Sequence, residues 1–378
     1  MLNQSYKTGL RIQELDGLRG LAVGMVLIWH FIGCMIDGNL GIWARALHYI
    51  TVLGRTGVDL FFVLSGFFIT GIVLDRSNGN KVFLQSFYIR RALRIVPSYI
   101  ILVLIFWFLV ALGVRNHAFN NETPLLYHLT LSQNWWMCVN KMWGPAAIST
   151  TWSVAIEEQF YLIFPLILLT APRNNMPKIF IAIAFLSACI RFLAIIFFDN
   201  IFLMYVSTLS RLDGLAAGAL VAHLWRHPSF GEWIKDLRKV AYLKKIIILF
   251  LAIMPVFLIA VNYNLKLTMA VWGHSYLTLF YASLMFWVIY RLSEGRGGVP
   301  AFRTTWLREL GGISYTIYLF HPIFLSIAFF LAGRPERIST LSDCALAIAA
   351  LLATLLYSKI SLKRFERPFV EFGRKFPY

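Results

Sequence analysis

The chain of 378 residues is 59% hydrophobic and only 14% charged, whereas soluble domains carry about a quarter charged residues. Its mean hydropathy of +0.68 excludes an ordinary soluble enzyme. The net charge of +17 would suggest nucleic acid binding in a soluble protein. Here the basic residues lie between long apolar runs, which is typical of membrane topology, so no nucleic acid partner is expected.

Ten stretches along the chain have the length and apolar character of spanning helices, which need about 20 such residues. The fold class is therefore an all-α integral membrane bundle of about ten transmembrane helices. We find no repeat, heptad pattern or soluble appendage, so residues 1–378 are expected to form a single membrane domain. The predicted spans are residues 18–36, 56–75, 95–114, 150–171, 178–198, 201–224, 245–262, 267–290, 310–332 and 342–360.

The distribution of Lys and Arg predicts the orientation of the bundle, because these residues are retained on the cytoplasmic side. Placing the N-terminus inside puts most of them in cytoplasmic connections, so both termini are expected to be cytoplasmic. The first apolar stretch has no A-x-A-like cleavage site and carries Arg19 and His30. It is therefore expected to remain as a span rather than act as a signal peptide.

The longest connection, residues 115–149, is expected on the outer side and contains three tryptophans. They either anchor the membrane interface or form a platform on which a sugar stacks. The four cysteines have no metal-ligand spacing, and no metal site is predicted. Most are expected to be buried hydrophobes, with a disulfide between Cys34 and Cys138 as the alternative. The tryptophans are Trp135, Trp136 and Trp143.

Several polar residues fall within the predicted spans, where each is costly and needs a partner or a task. Counting residues from the span ends places them in a layer across the middle and outer membrane. For the histidine of the ninth span, a bundle histidine with satisfied hydrogen bonds and a catalytic role both stay open. The layer comprises His30, Glu157, Glu158, Arg211, Asp213 and His321.

A second polar set lies at the cytoplasmic face, at Arg19 and in the segment FYIRRALRIVP with Arg91 and Arg94. Positive-inside bias alone would explain any one of these arginines, whereas a cluster on one helical face favours an anionic ligand such as phosphate. Arg19 and His30 are eleven residues apart and share a face, about 16 Å from each other. That spacing suits a long, thin substrate with a phosphate-bearing head.

Two further segments have weaker signals. In GVDLFFVLSGFFITG, Asp59, Ser65 and Gly66 lie within a span, where small residues allow close helix packing or the approach of a cofactor arm. Asp16, in DGLRG, is expected either to belong to the polar layer or to act as the N-cap of the first span.

Six segments of the chain together resemble the acyltransferase 3 family of membrane-bound O-acyltransferases, in the order in which that family presents them. The family's Arg-X10-His motif corresponds to Arg19 and His30, and its RXXR motif to Arg91 and Arg94. The six segments are ELDGLRGLAVGMVLIWHF, GRTGVDLFFVLSGFFITG, FYIRRALRIVP, TWSVAIEEQFYLIFPL, SRLDGLAAGALVA and GGISYTIYLFHP.

The resemblance implies a bacterial multi-pass membrane protein that takes an acyl group, often acetyl, from cytoplasmic acyl-CoA. The acceptor would be a hydroxyl, commonly of a cell-surface carbohydrate. His30 would be the catalytic residue, and Ser65, Gly66 and Phe67 would lie near the acyl donor. Many bacterial relatives carry a fused SGNH hydrolase-like domain, which this sequence lacks, so a stand-alone form is expected.

Acyl transfer needs a base for the attacking hydroxyl, and His30 is the expected base. Glu157 or Glu158, at a similar depth, is expected to orient its imidazole. Direct transfer and transfer through an acyl-histidine both stay open.

Two other classes of protein also place polar residues in membranes. The first is a secondary transporter or channel, although the inverted repeats and broken helices of many transporters are not evident here. The second is a non-catalytic protein that binds or flips lipid-linked sugars.

Overall fold

The computed structural model describes residues 12–36, 41–77, 81–233, 235–262, 265–293 and 298–377. Ten helices of at least 16 residues follow one another in these ranges. They are α1 (Gln13–Ile28), α2 (Gly57–Arg76), α3 (Lys81–Ala111), α4 (Trp152–Thr170), α5 (Met176–Ile196), α6 (Thr208–Arg226), α7 (Leu237–Asn262), α8 (His274–Ser293), α9 (Ser314–Leu331) and α10 (Leu341–Ser361).

Shorter helices connect the long ones, and the β-structure within the described ranges is one isolated bridge between Ile36 and Ile338. α1 continues into a π-helical turn at Trp29–Gly33. The short helices are Ile42–Thr51, Leu125–Leu129, Gln133–Asn140, Ile201–Val206, Phe230–Trp233, Lys266–Thr268, Thr305–Gly312 and Arg367–Gly373.

The predicted all-α multi-pass bundle is confirmed. In the described part of the chain, nine helical stretches are long and apolar enough to cross a membrane. The predicted span 201–224 is the exception. It divides at Ser207, whose side chain caps α6 by accepting a hydrogen bond from the Ser210 amide. α6 also carries Arg211 and Asp213, which make it more polar than the other long helices.

α6 lies at the centre of the bundle and packs most extensively on α2 and α5. Glycines allow α2 and α6 to approach until their backbones touch. A Cβ at Gly66 would overlap the carbonyl oxygen of Leu215, and a Cβ at Gly218 would overlap that of Val63. Small residues serve the same purpose in other membrane helix pairs, so these glycines fix how α2 is rotated against α6.

α7 lies at the edge of the bundle, where only 11% of the span Arg238–Ile259 is buried. Its outward residues are large and apolar, including Ile248, Leu249 and Val256. In water such a surface would favour aggregation, whereas it is stable in contact with lipid tails. The helices around α6 thus shield its polar residues from lipid.

We predict that Gly66→Ala destabilises the bundle, because the added methyl group forces α2 away from α6. Overpacking of this kind costs about 1–3 kcal/mol. The matched control is Gly24→Ala in α1, where an added Cβ meets no atom within 4 Å. Thermal unfolding of the purified variants in detergent measures the difference, and equal melting temperatures would contradict the packing argument.

Candidate active site

A cavity of about 350 Å³ lies between α1, α2, α3, α4 and α9, and we call it the main cavity. It brings together three of the arginines and both glutamates that the sequence singled out. Its polar wall residues are Arg19, Ser65, Arg90, Arg91, Arg94, Ser153, Glu157, Glu158, Tyr161, Ser314, Tyr315, Tyr318 and Arg374.

The guanidinium groups of Arg19 and Arg91 rest on aromatic rings of the main cavity. Arg19 Cζ lies 5.8 Å from the ring centre of Phe68, and Arg91 Cζ lies 4.5 Å from that of Tyr161. Within the described ranges no carboxylate lies at ion-pair distance from Arg19, Arg91 or Arg94. The cavity therefore presents cations that the protein itself does not pair with carboxylates.

A neighbouring cavity of about 570 Å³, the basic vestibule, shares Arg19, Arg94 and Arg374 with the main cavity. It also has Arg367 from the short helix Arg367–Gly373 in its wall. Sequence reasoning missed these C-terminal arginines, because no local pattern shows that the last helix folds back onto the start of α3. Arg90 makes that contact by donating to the carbonyl oxygens of Gly373 and Arg374.

The two glutamates lie with the arginines, and in the described part of the chain no hydrogen bond joins either of them to His30. Glu157 accepts hydrogen bonds from the Ser65 hydroxyl at 2.9 Å and the Tyr161 hydroxyl at 3.0 Å. Glu158 Oε1 is buried without a hydrogen-bond partner among the described residues. Sequence counting predicted the depth of these carboxylates, but the rotation of α4 turns them toward the arginines.

His30 lies in the π-helical turn that ends α1, and such turns are frequent at functional sites. Its Nδ1 lies 2.9 Å from the carbonyl oxygen of Val26. Its ring meets that of His321 edge to face, with 4.7 Å between ring centres. His321 thus occupies the place beside His30 that sequence reasoning assigned to a glutamate.

His321 is fully buried in α9, and its Nδ1 lies 2.9 Å from the carbonyl oxygen of Tyr318. Tyr318 connects this pair to the main cavity. Its ring centre is 5.9 Å from that of His321, and its side chain forms part of the cavity wall. His30 itself is half-buried and is not part of the cavity wall. His321 and Tyr318 lie between His30 and the main cavity.

The three residues Ser65, Gly66 and Phe67 face different directions. Ser65 lines the main cavity and donates to Glu157. Gly66 faces Leu215 in α6, and Phe67 stacks on Trp225 with 5.7 Å between ring centres. The structure therefore brings Ser65 to the cavity and Gly66 and Phe67 into helix packing.

The remaining polar residues of the layer form a buried network between α2, α5, α6 and α8. Arg211 donates to Asp59 at 2.6 Å, and Arg191 pairs with Asp213 at 2.9 Å. His274, which sequence reasoning did not select, contacts Arg211 through its Nδ1. The contacts of Arg191 and His274 depend on how α5 and α8 pack against α6, and no pattern within one helix predicts that packing.

Asp16 lies inside α1, so the expectation that it caps the helix is wrong. α1 begins at Gln13 and its N-cap position is Ile12. Asp16 is buried in the wall of the basic vestibule, near the Arg19 that shares its helix.

The tryptophans of the connection 115–149 have different surroundings. Trp135 donates its indole N–H to Gln159 at 3.1 Å, and Trp136 is buried. Trp143 is 42% exposed and packs against Phe202 and Tyr205. Trp143 lines a small second cavity together with Tyr205.

All four cysteines are free thiols, so the disulfide between Cys34 and Cys138 does not form in this structure. Nor does any group of three or more His, Cys, Asp or Glu side chains in the described ranges have an arrangement suited to a metal ion.

The described residues form a polytopic helical bundle with an internal cavity, and Arg19, Arg91 and Arg94 in its wall have no carboxylate partner within those residues. Comparison with known families specifies the class further. The family model described as an acyltransferase domain matches residues 12–359, and the chain therefore belongs to the acyltransferase 3 family.

Two relatives illustrate the match. The chain is 31% identical over 229 residues to the peptidoglycan O-acetyltransferase OatA of Listeria monocytogenes, covering 57% of this chain and 34% of the relative. It is 29% identical over 231 residues to a Staphylococcus aureus (strain COL) protein named "Putative O-acetyltransferase", covering 58% and 36%. The chain thus spans about a third of the length of these relatives. No solved structure gives a significant match.

We predict that Asp59→Asn strongly destabilises the protein, because it leaves the buried Arg211 without its carboxylate. Removing one partner of a buried ion pair costs about 3–5 kcal/mol. Asp199→Asn is the matched control, since Asp199 forms an exposed pair with Lys266 at 3.4 Å and exposed pairs contribute at most about 1 kcal/mol. Thermal unfolding in detergent measures both, and similar losses would contradict a structural role for the network.

Proposed function

We propose that this chain is a membrane O-acetyltransferase that moves an acetyl group from cytoplasmic acetyl-CoA to a hydroxyl of a cell-surface or exported carbohydrate. The observation that carries the proposal is the cluster of Arg19, Arg91 and Arg94 around the main cavity, which have no carboxylate partner among the residues that the structure describes. The family match and the names of the relatives support acetyl transfer to oxygen. The relative named for peptidoglycan supports a carbohydrate acceptor.

The proposed donor site is the basic vestibule together with the main cavity. Coenzyme A carries a diphosphate and a further phosphate, and guanidinium groups bind phosphate in a bidentate manner. Arg19 and Arg94 belong to both cavities, so the phosphates would bind there. The thinner pantetheine arm would then enter the main cavity. Ser65 lines that cavity, which supports a donor role for this residue.

The proposed base is His30. A carbonyl oxygen only accepts hydrogen bonds, so the contact of Nδ1 with the Val26 carbonyl assigns the ring hydrogen to Nδ1 and leaves a lone pair on Nε2. Arg19 and His30 are joined by eleven residues of continuous helix, about 16 Å. A donor held at Arg19 would therefore extend along α1 toward the base. Tyr318 and His321 lie between the main cavity and His30.

In the proposed reaction, His30 Nε2 removes the proton from the acceptor hydroxyl as its oxygen attacks the thioester carbonyl carbon. The carbon–sulfur bond breaks, and the coenzyme A thiolate takes the proton from His30. The neighbouring His321 ring limits the rotation of the His30 ring. The acetyl ester and free coenzyme A are the products, and His30 returns to its neutral form.

The donor would enter from the cytoplasm, on the side of both termini, and the acceptor from the opposite face. This orientation follows from the positive-inside distribution of Lys and Arg. The bacterial relatives support the cytoplasmic membrane of a bacterium as the location. Only the acetyl group would cross the bilayer.

We predict that His30→Ala abolishes acetyl transfer without unfolding the protein. Inside-out membrane vesicles loaded with peptidoglycan glycan strands as acceptor would receive radiolabelled acetyl-CoA on the outside, and labelled ester in the lumen would be counted. Loss of a general base lowers turnover about 10²- to 10⁴-fold. His117→Ala, at an exposed histidine, is the control. Transfer by His30→Ala above half of the wild-type rate would contradict its role, and no transfer by the wild type would contradict the proposed function.

We also predict that Arg91→Ala and Arg94→Ala raise the KM for acetyl-CoA more than they lower kcat, because both residues bind the donor before the reaction. Arg364→Ala is the matched control, since Arg364 is exposed and lies outside the walls of both cavities. Steady-state kinetics with varied acetyl-CoA measures both constants. An unchanged KM in the two cavity variants would contradict donor binding by these arginines, and positive-inside bias alone would then explain them.

A further inference from the structure

A second, smaller cavity of about 100 Å³ lies away from the donor site, and we call it the aromatic cavity. It opens at the surface beside Trp143 and Lys266, whose side chains are partly exposed. Its deep end is formed by α2 and α8. The residues that carry the argument are Arg55, Asp59, Trp143, Tyr205, Lys266 and His274.

His274 supplies an unused hydrogen-bond donor in the wall of this cavity. A guanidinium group has only donors, so the contact of Arg211 with His274 Nδ1 requires a lone pair on Nδ1 and places the ring hydrogen on Nε2. His274 is only 2% exposed, and its Nε2 has no hydrogen-bond partner among the described residues. A buried donor left unpaired is costly, so this N–H is suited to a ligand acceptor.

The charge of the aromatic cavity is positive. Arg55 has no carboxylate at ion-pair distance in the described part of the chain, and its Cζ lies between the rings of Trp29 and Tyr205, at 5.4 and 5.5 Å. Asp59, the acid in this wall, is already paired with Arg211. The available groups are therefore donors and cations, which favour an anion.

The remaining walls favour a sugar ring. Trp143 and Tyr205 meet at 5.8 Å between ring centres, and Trp143 is partly exposed at the mouth. Aromatic faces bind the apolar face of a saccharide while the hydroxyls stay in water. Arg55 packs on Trp29, the residue before His30, so a ligand bound at Arg55 lies close to the proposed base.

We propose that the aromatic cavity binds the acceptor as a saccharide bearing a carboxylate or phosphate. The anionic group contacts Arg55 and the His274 N–H, and a sugar ring stacks on Trp143. The identification of the ligand as the acceptor rests on the proposed function, whereas binding of an anionic saccharide does not require acetyl transfer.

Calorimetric titration of the purified full chain in detergent tests the site with three probes. Peptidoglycan glycan strands freed of their peptides carry carboxylates, poly(ribitol phosphate) carries phosphates, and chitotetraose is a neutral saccharide. We expect at least one anionic probe to bind at least tenfold more tightly than chitotetraose. Binding of the strands alone identifies a carboxylate, binding of the phosphate polymer alone identifies a phosphate, and binding of both leaves the anion class as stated.

Two variants and their matched controls complete the test. Arg55→Gln is expected to weaken binding of the anionic probe about tenfold or more, as for the loss of a charged hydrogen bond. Trp143→Leu should weaken it as well, and Trp143→Tyr should restore it. The controls Arg45→Gln and Trp43→Leu change exposed residues outside this cavity and should bind normally.

Failure of both anionic probes to bind, equal binding of chitotetraose, or unchanged binding by Arg55→Gln would overturn the site. Kinetics then tests whether the bound saccharide is the acceptor. Arg55→Gln should raise the KM for the acceptor at least tenfold and leave the KM for acetyl-CoA within twofold. An unchanged acceptor KM would overturn the acceptor assignment. Binding by a wild type that transfers no acetyl group would overturn the proposed function and leave the anionic saccharide site in place.

Discussion

The structure depends on one constraint, the free-energy cost of a cation inside a membrane bundle. The protein meets it in two ways. Arg191 and Arg211 are neutralised by Asp213 and Asp59, so they stabilise the contact of α6 with its neighbours. Arg19, Arg91 and Arg94 of the main cavity have no such carboxylate among the described residues. Arg191 and Arg211 therefore belong to the packing of the bundle, whereas the proposed function assigns the cavity arginines to an anionic ligand.

Two long helices, α1 and α2, each connect residues of different sites. α1 holds Arg19 in the main cavity and leads to His30 in the π-helical turn at its end. α2 has Ser65 in the main cavity and Asp59 in the aromatic cavity. Because α2 touches α6 through backbone atoms at Gly66, α2 cannot rotate without breaking that contact. Helix packing therefore fixes the walls that α2 contributes to both cavities.

Local signals made the spans and the arginine cluster predictable, since apolar length and a three-residue spacing can be read within one helix. The partners of those residues were not predictable. His30 meets His321, and Ser65 meets Glu157, across helices far apart in sequence. Counting residues predicts a depth for Glu157, but the face it presents depends on how α4 packs against α2 and α3. The termini on the cytoplasmic side stay a prediction.

The length of α3 has a consequence for the surrounding lipid. Its 31 residues extend about 46 Å, whereas the hydrocarbon core is about 30 Å thick. One end therefore projects into the headgroup region, and Arg90, Arg91 and Arg94 lie within its first four turns. A lipid phosphate at that level would compete for the same guanidinium groups. Occupancy of the main cavity by an anionic donor would then depend on how negatively charged the adjoining leaflet is.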